Sequence, residues 1–377
     1  IDGDITDKTL QENDYWLIKI TPDGNLLWSK TYGGSGDDVG QKVVATNDGG
    51  FAITGYSMSS DGDASKNEGF HDNWLLKLDA NGNILWEKSY GFSGHDHSYS
   101  IIQTSDGGFL MTGFLDVTAS GGLGNTKINS SKRHGIGEFW CHKLDANGNI
   151  EWRKYFGGTN NDRSFDVVQA NDGGYVITGF SESDDFDITN SYGSYDYWVI
   201  KLDAAGNLLW EKSLGGSEID QARSIAKTDD NAYIIAGNSF STDGDVSSNK
   251  GNSDFFIVKI DDNGKVKWRK NYGGSDFDYA TSISPSTNGF LLTGNTKSSD
   301  KDATSNYGEN DFWVFKINAN GKLLDQKNFG GSGLDFAFDV LETTQGDMFI
   351  VGETESNDYD IIENNGLKDA LVIKVNN

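Results

Sequence analysis

The chain has 377 residues, of which 57 are acidic and 31 basic, giving a formal charge of -26 at neutral pH. This balance argues against nucleic acid or an anionic membrane as partner, since both demand clustered Lys and Arg. One cysteine, Cys141, excludes an internal disulfide framework, and no apolar run approaches the roughly 18 residues needed to span a bilayer.

In chain order, the first strand pattern (P) is Trp16–Ile20, turning at Pro22-Asp23-Gly24-Asn25 into a second (Q), Leu26–Tyr32. A glycine-rich connection, Gly33-Gly34-Ser35-Gly36-Asp37-Asp38, leads to a third strand (R) near Lys42–Thr46. The turn Asn47-Asp48-Gly49-Gly50 then feeds a fourth (S), Phe51–Tyr56, and a polar loop, residues 57–71, closes the period. Asp-Gly and Asn-Gly between apolar strands signal hairpins because such turns need positive φ. The P-strand position of Trp16 recurs at Trp74, Trp140, Trp198, Phe256, Trp313 and Leu371, in steps of 58, 66, 58, 58, 57 and 58 residues by subtraction. A fixed period of this size means a repeat architecture. Four strands in ~58 residues predict an all-β chain, a β-propeller with four-stranded blades.

The spacing predicts one domain, residues 1–377. There are seven P strands but six copies each of Q, R and S, and the chain begins inside an S-to-P loop. Seven blades are expected, with part of one absent from the sequence; six blades are the alternative. A start inside a repeat, with no signal peptide, reads as a processed or trimmed N-terminus.

The repeats resemble the tryptophan-docking repeats of quinoprotein-type propellers. The matching pieces are Asp172-Gly173-Gly174-Tyr175-Val176-Ile177-Thr178-Gly179, Lys201-Leu202-Asp203 and Leu208-Leu209-Trp210. Over nearly the whole chain they resemble more closely repeat proteins common among secreted and lipid-anchored proteins of the Bacteroidota, of pattern GGSGxD…DGGY…DGD…DxWxxKLDxxGNxxW. That resemblance implies the propeller fold, an extracellular or outer-membrane surface location and a lipid anchor outside the sequence. It implies no assigned chemistry.

All ten Trp lie on two repeat positions: 16, 74, 140, 198 and 313 on P, and 28, 86, 152, 210 and 268 on Q. An aromatic that recurs in every blade is inter-blade packing rather than a ligand platform. Lys19, Lys77, Lys143, Lys201, Lys259, Lys316 and Lys374 fill one position on P, and Asp38, Asp96, Asp162, Asp220, Asp278 and Asp335 fill one after the glycine turn. A buried lysine needs a partner, so these lysines are expected to pair with that Asp series or with the Asp before the P-strand Trp.

Three S-to-P loops carry calcium-like ligand spacing: Asp61, Asp63, Ser65, Asn67 and Asp72; Asp243, Asp245, Ser247, Asn249 and Asp254; and Asp300, Asp302, Thr304, Asn306 and Asp311. Calcium is the cofactor they suggest. The EF-hand glycine at the sixth position is missing, and Asx and Ser/Thr turns are the alternative reading.

The repeat breaks once. Gly55 to Trp74 is 19 residues, as in four other repeats, but Gly113 to Trp140 is 27. The longer loop brings Lys127, Lys132, Arg133 and His134 together, and the preceding Q-to-R connection holds His95 and His97. In a propeller both loops emerge on one face, and binding residues concentrate on such loops. These six residues are the candidate binding patch, for an anion or glycan, and His-x-Asp-x-His can also ligate a transition metal. No nucleophile motif or isolated carboxylate pair marks an enzyme. The functional expectation is a non-catalytic extracellular module that binds a glycan, peptide or protein partner on the long-loop face. A propeller glycosidase or lyase and a structural spacer or adhesin are the alternatives.

Overall fold

The computed structural model describes residue 5, residues 12–116 and residues 137–376. Every regular element among them is a strand, and the 25 strands form seven antiparallel sheets. Five sheets have four strands in the order R-S-P-Q, one has three (R-S-P) and one has two (P-Q). This is the blade succession of an all-β propeller. Six sheets open with an R strand, as the six-blade alternative expects, and the two-stranded sheet is the remainder on which the seven-blade count rests.

The chain divides into two compact units. The first comprises residues 1–177, 183–189 and 202–208, and the second residues 178–182, 190–201 and 209–377.

In the first four-stranded sheet, R is Asp38–Ala45, S Phe51–Ser57, P Asp72–Leu78 and Q Ile84–Tyr90. R starts four residues earlier than the sequence suggested. The Asp38 amide donates to Asn13 O (2.8 Å) and its carboxylate accepts from Gly34 N (2.8 Å), so pairing begins at the repeated aspartate. A register shift between Gly40 and Lys42 bends R, and the same shift recurs at Ser98/Ser100, Ala222/Ser224, Ala280/Ser282 and Ala337/Asp339. P is buried along its whole length, whereas Q has a half-exposed edge with Leu85 outward. That is why P reads as a nearly continuous apolar run rather than an alternation.

The two tryptophan series do different work. On P, Trp74 is fully buried and its indole N–H donates to Glu87 Oε2 (2.9 Å). Burying an indole removes about 200 Å² from water, worth roughly 4–6 kcal/mol. On Q, each tryptophan lies against the P–Q turn glycine of the next sheet. A Cβ on Gly82, Gly148, Gly206, Gly264 or Gly321 would meet Trp28, Trp86, Trp152, Trp210 or Trp268 at 2.9–3.1 Å. These glycines also have positive φ, from 70° to 79°, so conformation and space both demand Gly. Tyrosines closing Q add a latch: Tyr32 Oη donates to Gly82 O and Tyr90 Oη to Gly148 O, both at 2.7 Å.

The repeated lysines pair differently from expectation. Lys77 meets Asp48 (2.8 Å), Lys259 meets Asp230 (2.8 Å) and Lys374 meets Asp347 (3.0 Å), all acids of the R–S turn. Lys201 meets Asp262 of the following P–Q turn (2.5 Å). The lysines sit at the tight-turn end of P, while the Asp series and the Asp before Trp begin their strands at the long-loop end. The Lys77 hydrogen bond holds the Asp48 carboxyl well below the usual range.

Candidate functional site

In the first unit the S-to-P loop ends at His71, which makes a one-residue parallel bridge to His95 in the Q-to-R connection. The Asp96 amide donates to His71 O (2.8 Å), fixing the two loops side by side. His97 follows as the second residue of the R strand Asp96–Gln103. The three rings converge: His71 Nδ1 lies 2.7 Å from His95 Nδ1 and 3.3 Å from His97 Nε2. One nitrogen from each ring falls within 4.8 Å of the others, the single such group of His, Cys, Asp or Glu ligand atoms among the described residues.

Aromatic rings hold the imidazoles in place. Tyr56 stacks on His97 (centroids 4.1 Å apart) and meets His71 edge-on (5.1 Å), while Phe70 stacks on His95 (5.0 Å). Burial, then the neighbouring His71, His95 and Arg163, push His97 down to about 4. His71 is also lowered, by burial and then by His95, against the opposing charge of Asp37. Both rings are therefore neutral at pH 7, the form in which imidazole binds metals. His95 is exposed, so the cluster opens to solvent.

The same bridge recurs at Tyr195/Ile219, Ser253/Phe277 and Asn310/Leu334. The position of His97 is filled there by Gln221, Tyr279 and Phe336. One backbone frame is used repeatedly, and only here among these repeats does it carry imidazoles.

Of the sequence candidates, His95 and His97 are brought together, and they are joined by His71, which the sequence reading passed over. Lys127, Lys132, Arg133 and His134 lie outside the described residues. His142 is a core residue, 3.8 Å from Trp140 and 5.4 Å from Tyr90, at the repeat position of Leu76 and Ile200. Burial lowers its basicity well below the ordinary value.

The calcium-like loops divide between two corners instead of closing on themselves. Asp61, Asp243 and Asp300 accept from the amides of Ser35, Ser217 and Ser275 (2.7–2.8 Å), which belong to the Q-to-R connection of the same repeat. The next acid also turns back: Asp63 N donates to Gly33 O (2.9 Å), Asp245 N to Gly215 O (2.8 Å) and Asp302 N to Gly273 O (3.2 Å). Asn67, Asn249 and Asn306 close the loop by accepting from the amides of Gly69, Gly251 and Gly308. Ser65 Oγ donates to Glu87 Oε1. The last acid of each loop, Asp72, Asp254 or Asp311, faces forward to Gly91, Gly273 or Gly330. The first and last carboxylates of one loop thus serve different glycines.

No protein-family profile matches the chain. A curated relative, the regulatory protein FlaEY of Caulobacter vibrioides, is 28% identical over 178 residues, covering 44% of this chain and 18% of its own length. The chain therefore spans less than a fifth of that relative. Among solved structures, a protein of unknown function from Bacteroides caccae is similar over 84% of this chain and 94% of its own, at 12% identity and TM-score 0.45. Sqt1 from Chaetomium thermophilum is similar over 90% and 75%, at 12% identity and TM-score 0.47. A puromycin hydrolase is similar over 91% and 47%, at 9% identity and TM-score 0.44.

Proposed function

We propose that this chain is a non-catalytic extracellular binding module whose recognition site is a transition-metal ion held by His71, His95 and His97. The convergence of three ring nitrogens carries the reading. Three imidazoles suit zinc, which takes four ligands and here keeps one position open. Exposure of His95 and the neighbouring Phe70, 60% exposed, leaves that position accessible beside an aromatic shelf. A peptide or protein segment presenting a histidine or carboxylate is the ligand such a site takes. The surface location rests on the resemblance of the repeats to secreted and lipid-anchored proteins, and the acidic composition agrees with it.

Metal-stripped protein titrated with ZnCl2 by calorimetry should take up one equivalent that His95→Ala and His71→Ala both remove. Cobalt-loaded protein should change its visible spectrum on adding imidazole, the probe of the open position. Zinc uptake identical in parent and both variants sinks the site. Three histidines with an open position are also a catalytic donor set, and turnover of an activated ester by the zinc-loaded parent would replace the binding reading.

A further inference from the structure

The histidine cluster has a cationic neighbour on the next R strand. The two R strands lie side by side in register: Tyr99 meets Phe165 (centroids 5.1 Å apart) and Ser100 Oγ donates to Asp166 Oδ1 (2.8 Å). His97 and Arg163 are the second residues of these strands, Asp96–Gln103 and Asp162–Gln169. The frame behind them is shared, since Asp162 N donates to Gly137 O (2.7 Å) as Asp96 N does to His71 O (2.8 Å). The side chains follow that frame. His97 stacks on Tyr56, and Arg163 lays its guanidinium over Phe114 (4.7 Å to the centroid), the residue at the position of Tyr56 one repeat on. The same Phe114 ring lies 5.9 Å from His97, so a single ring flanks both guanidinium and imidazole. The charge of Arg163 is among those that depress His97, which agrees with this proximity.

Arg163 is half-buried, and no ion pair holds it among the described residues. Its Nε is shut off from solvent and has no acceptor. Arg269, by contrast, is paired with Asp245 (2.6 Å). At the position of His97 and Arg163 the remaining repeats carry Val39, Gln221, Tyr279 and Phe336. Imidazole and guanidinium therefore adjoin at one place in the repeat series.

Building on the metal reading above, we propose that the open position at His71, His95 and His97 takes a carboxylate, one oxygen on the ion and the other held by Arg163. Stacking uses the face of a guanidinium and leaves its in-plane N–H groups to donate. A carboxylate accepts such charge-assisted bonds while still ligating. A neutral imidazole has one acceptor nitrogen, which the ion takes, and its remaining N–H offers a donor nothing. Arg163 thus separates two ligands that the ion alone would both accept. In a chain of charge -26, an ion and a guanidinium on neighbouring strands also turn the local field toward an anion. The competing role for Arg163 is packing on Phe114 alone.

Cobalt-loaded full chain, titrated separately with sodium acetate and with imidazole and followed by its visible spectrum, decides between them. Both should bind the parent. Arg163→Met should still take up cobalt and bind imidazole as the parent does, while acetate weakens roughly tenfold or more. Arg163→Lys, which keeps the charge and loses the fork, should fall between for acetate. N-acetylglycine and the N-acetylated, C-amidated aspartate then tell a chain terminus from an acidic side chain, the tighter of the two naming the source. The proposal is overturned if Arg163→Met binds acetate like the parent. It is also overturned if acetate and imidazole weaken together, which would make Arg163 a support of the site. A parent that takes up no cobalt overturns the metal reading as well, whereas cobalt uptake without acetate binding overturns the carboxylate alone. Should Arg163→Met fail to fold, Arg163→Lys carries the decision, and unchanged acetate binding there overturns the proposal.

Discussion

The loop pair His71/His95 and the loop pair Ser253/Phe277 have the same backbone and opposite chemistry. Each is a one-residue parallel bridge, and behind each an R-strand aspartate amide donates to the bridging carbonyl, Asp96 to His71 (2.8 Å) and Asp278 to Ser253 (2.9 Å). Around Ser253 the neighbours are apolar: Phe277 and Tyr279 stack within 4° of parallel, with Phe240 against both. Around His71 the same two R-side positions are imidazoles. The repeat holds the frame constant, and a few side chains decide whether a corner carries stacked aromatic rings or converging imidazoles.

The largest expected effect belongs to the shared frame. Trp313→Ala, at a fully buried position, should cost about 3–5 kcal/mol in urea denaturation while leaving the zinc stoichiometry of the folded fraction unchanged. A loss of zinc binding in the folded variant would show that frame and site are not separable.

Grafting sharpens the comparison next. Ser253→His, Phe277→His and Tyr279→His combined should create a second zinc equivalent by calorimetry. It should be weaker than the native one, because Asn238 stands where Tyr56 steadies the native cluster. If three histidines on this frame bind nothing, the aromatic neighbours of the native site matter more than the bridge.

The pH dependence is smaller. His97 titrates near 4 in the folded chain and near 6.5 unfolded. Between those values the unfolded state binds the extra proton, so this contribution is intact above about 6.5 and lost as pH falls through 4, on the order of 1–2 kcal/mol after solvent screening. Asp72 and Asp96 act oppositely. Burial raises them to about 6 and about 7, so their contribution is present at low pH and lost as pH rises through that range. Subtracting the melting curve of His97→Phe from that of the parent at each pH isolates the histidine. A flat difference from pH 4 to 7 would contradict its burial.

The smallest effect is expected at the Q edge, where Leu85, 57% exposed, should tolerate Leu85→Gln within about 0.5 kcal/mol.

Much of the frame was legible because its signals repeat. Period and turn signals recur from repeat to repeat, and four repeats carry tryptophan on both P and Q, so a misreading at one is corrected by the next. The site was only half legible for the converse reason. His95 and His97 stood out together, but His71 lies 24 residues earlier in another loop, and only the bridge brings it near. The lysine partners were missed because several acid series share the period, and sequence does not say which end of a strand a side chain reaches. Nor does sequence show how a loop's acids are shared out: Asp61 and Asp72 lie in one loop yet serve different glycines.

The seam between successive sheets has a consequence for how such chains lengthen. Tyr32 and Tyr90 latch onto glycine carbonyls of the following turn, and the Trp152, Trp210 and Trp268 indoles donate to the carbonyls of Ala204, Asp262 and Ala319 (3.0–3.3 Å). These tyrosine and indole bonds are received by main chain beside a bare glycine, so this part of each joint asks nothing of the neighbour's side chains. A repeat duplicated, deleted or recombined in the gene therefore meets a joint that already fits, and copy number is free to drift while the corners diverge.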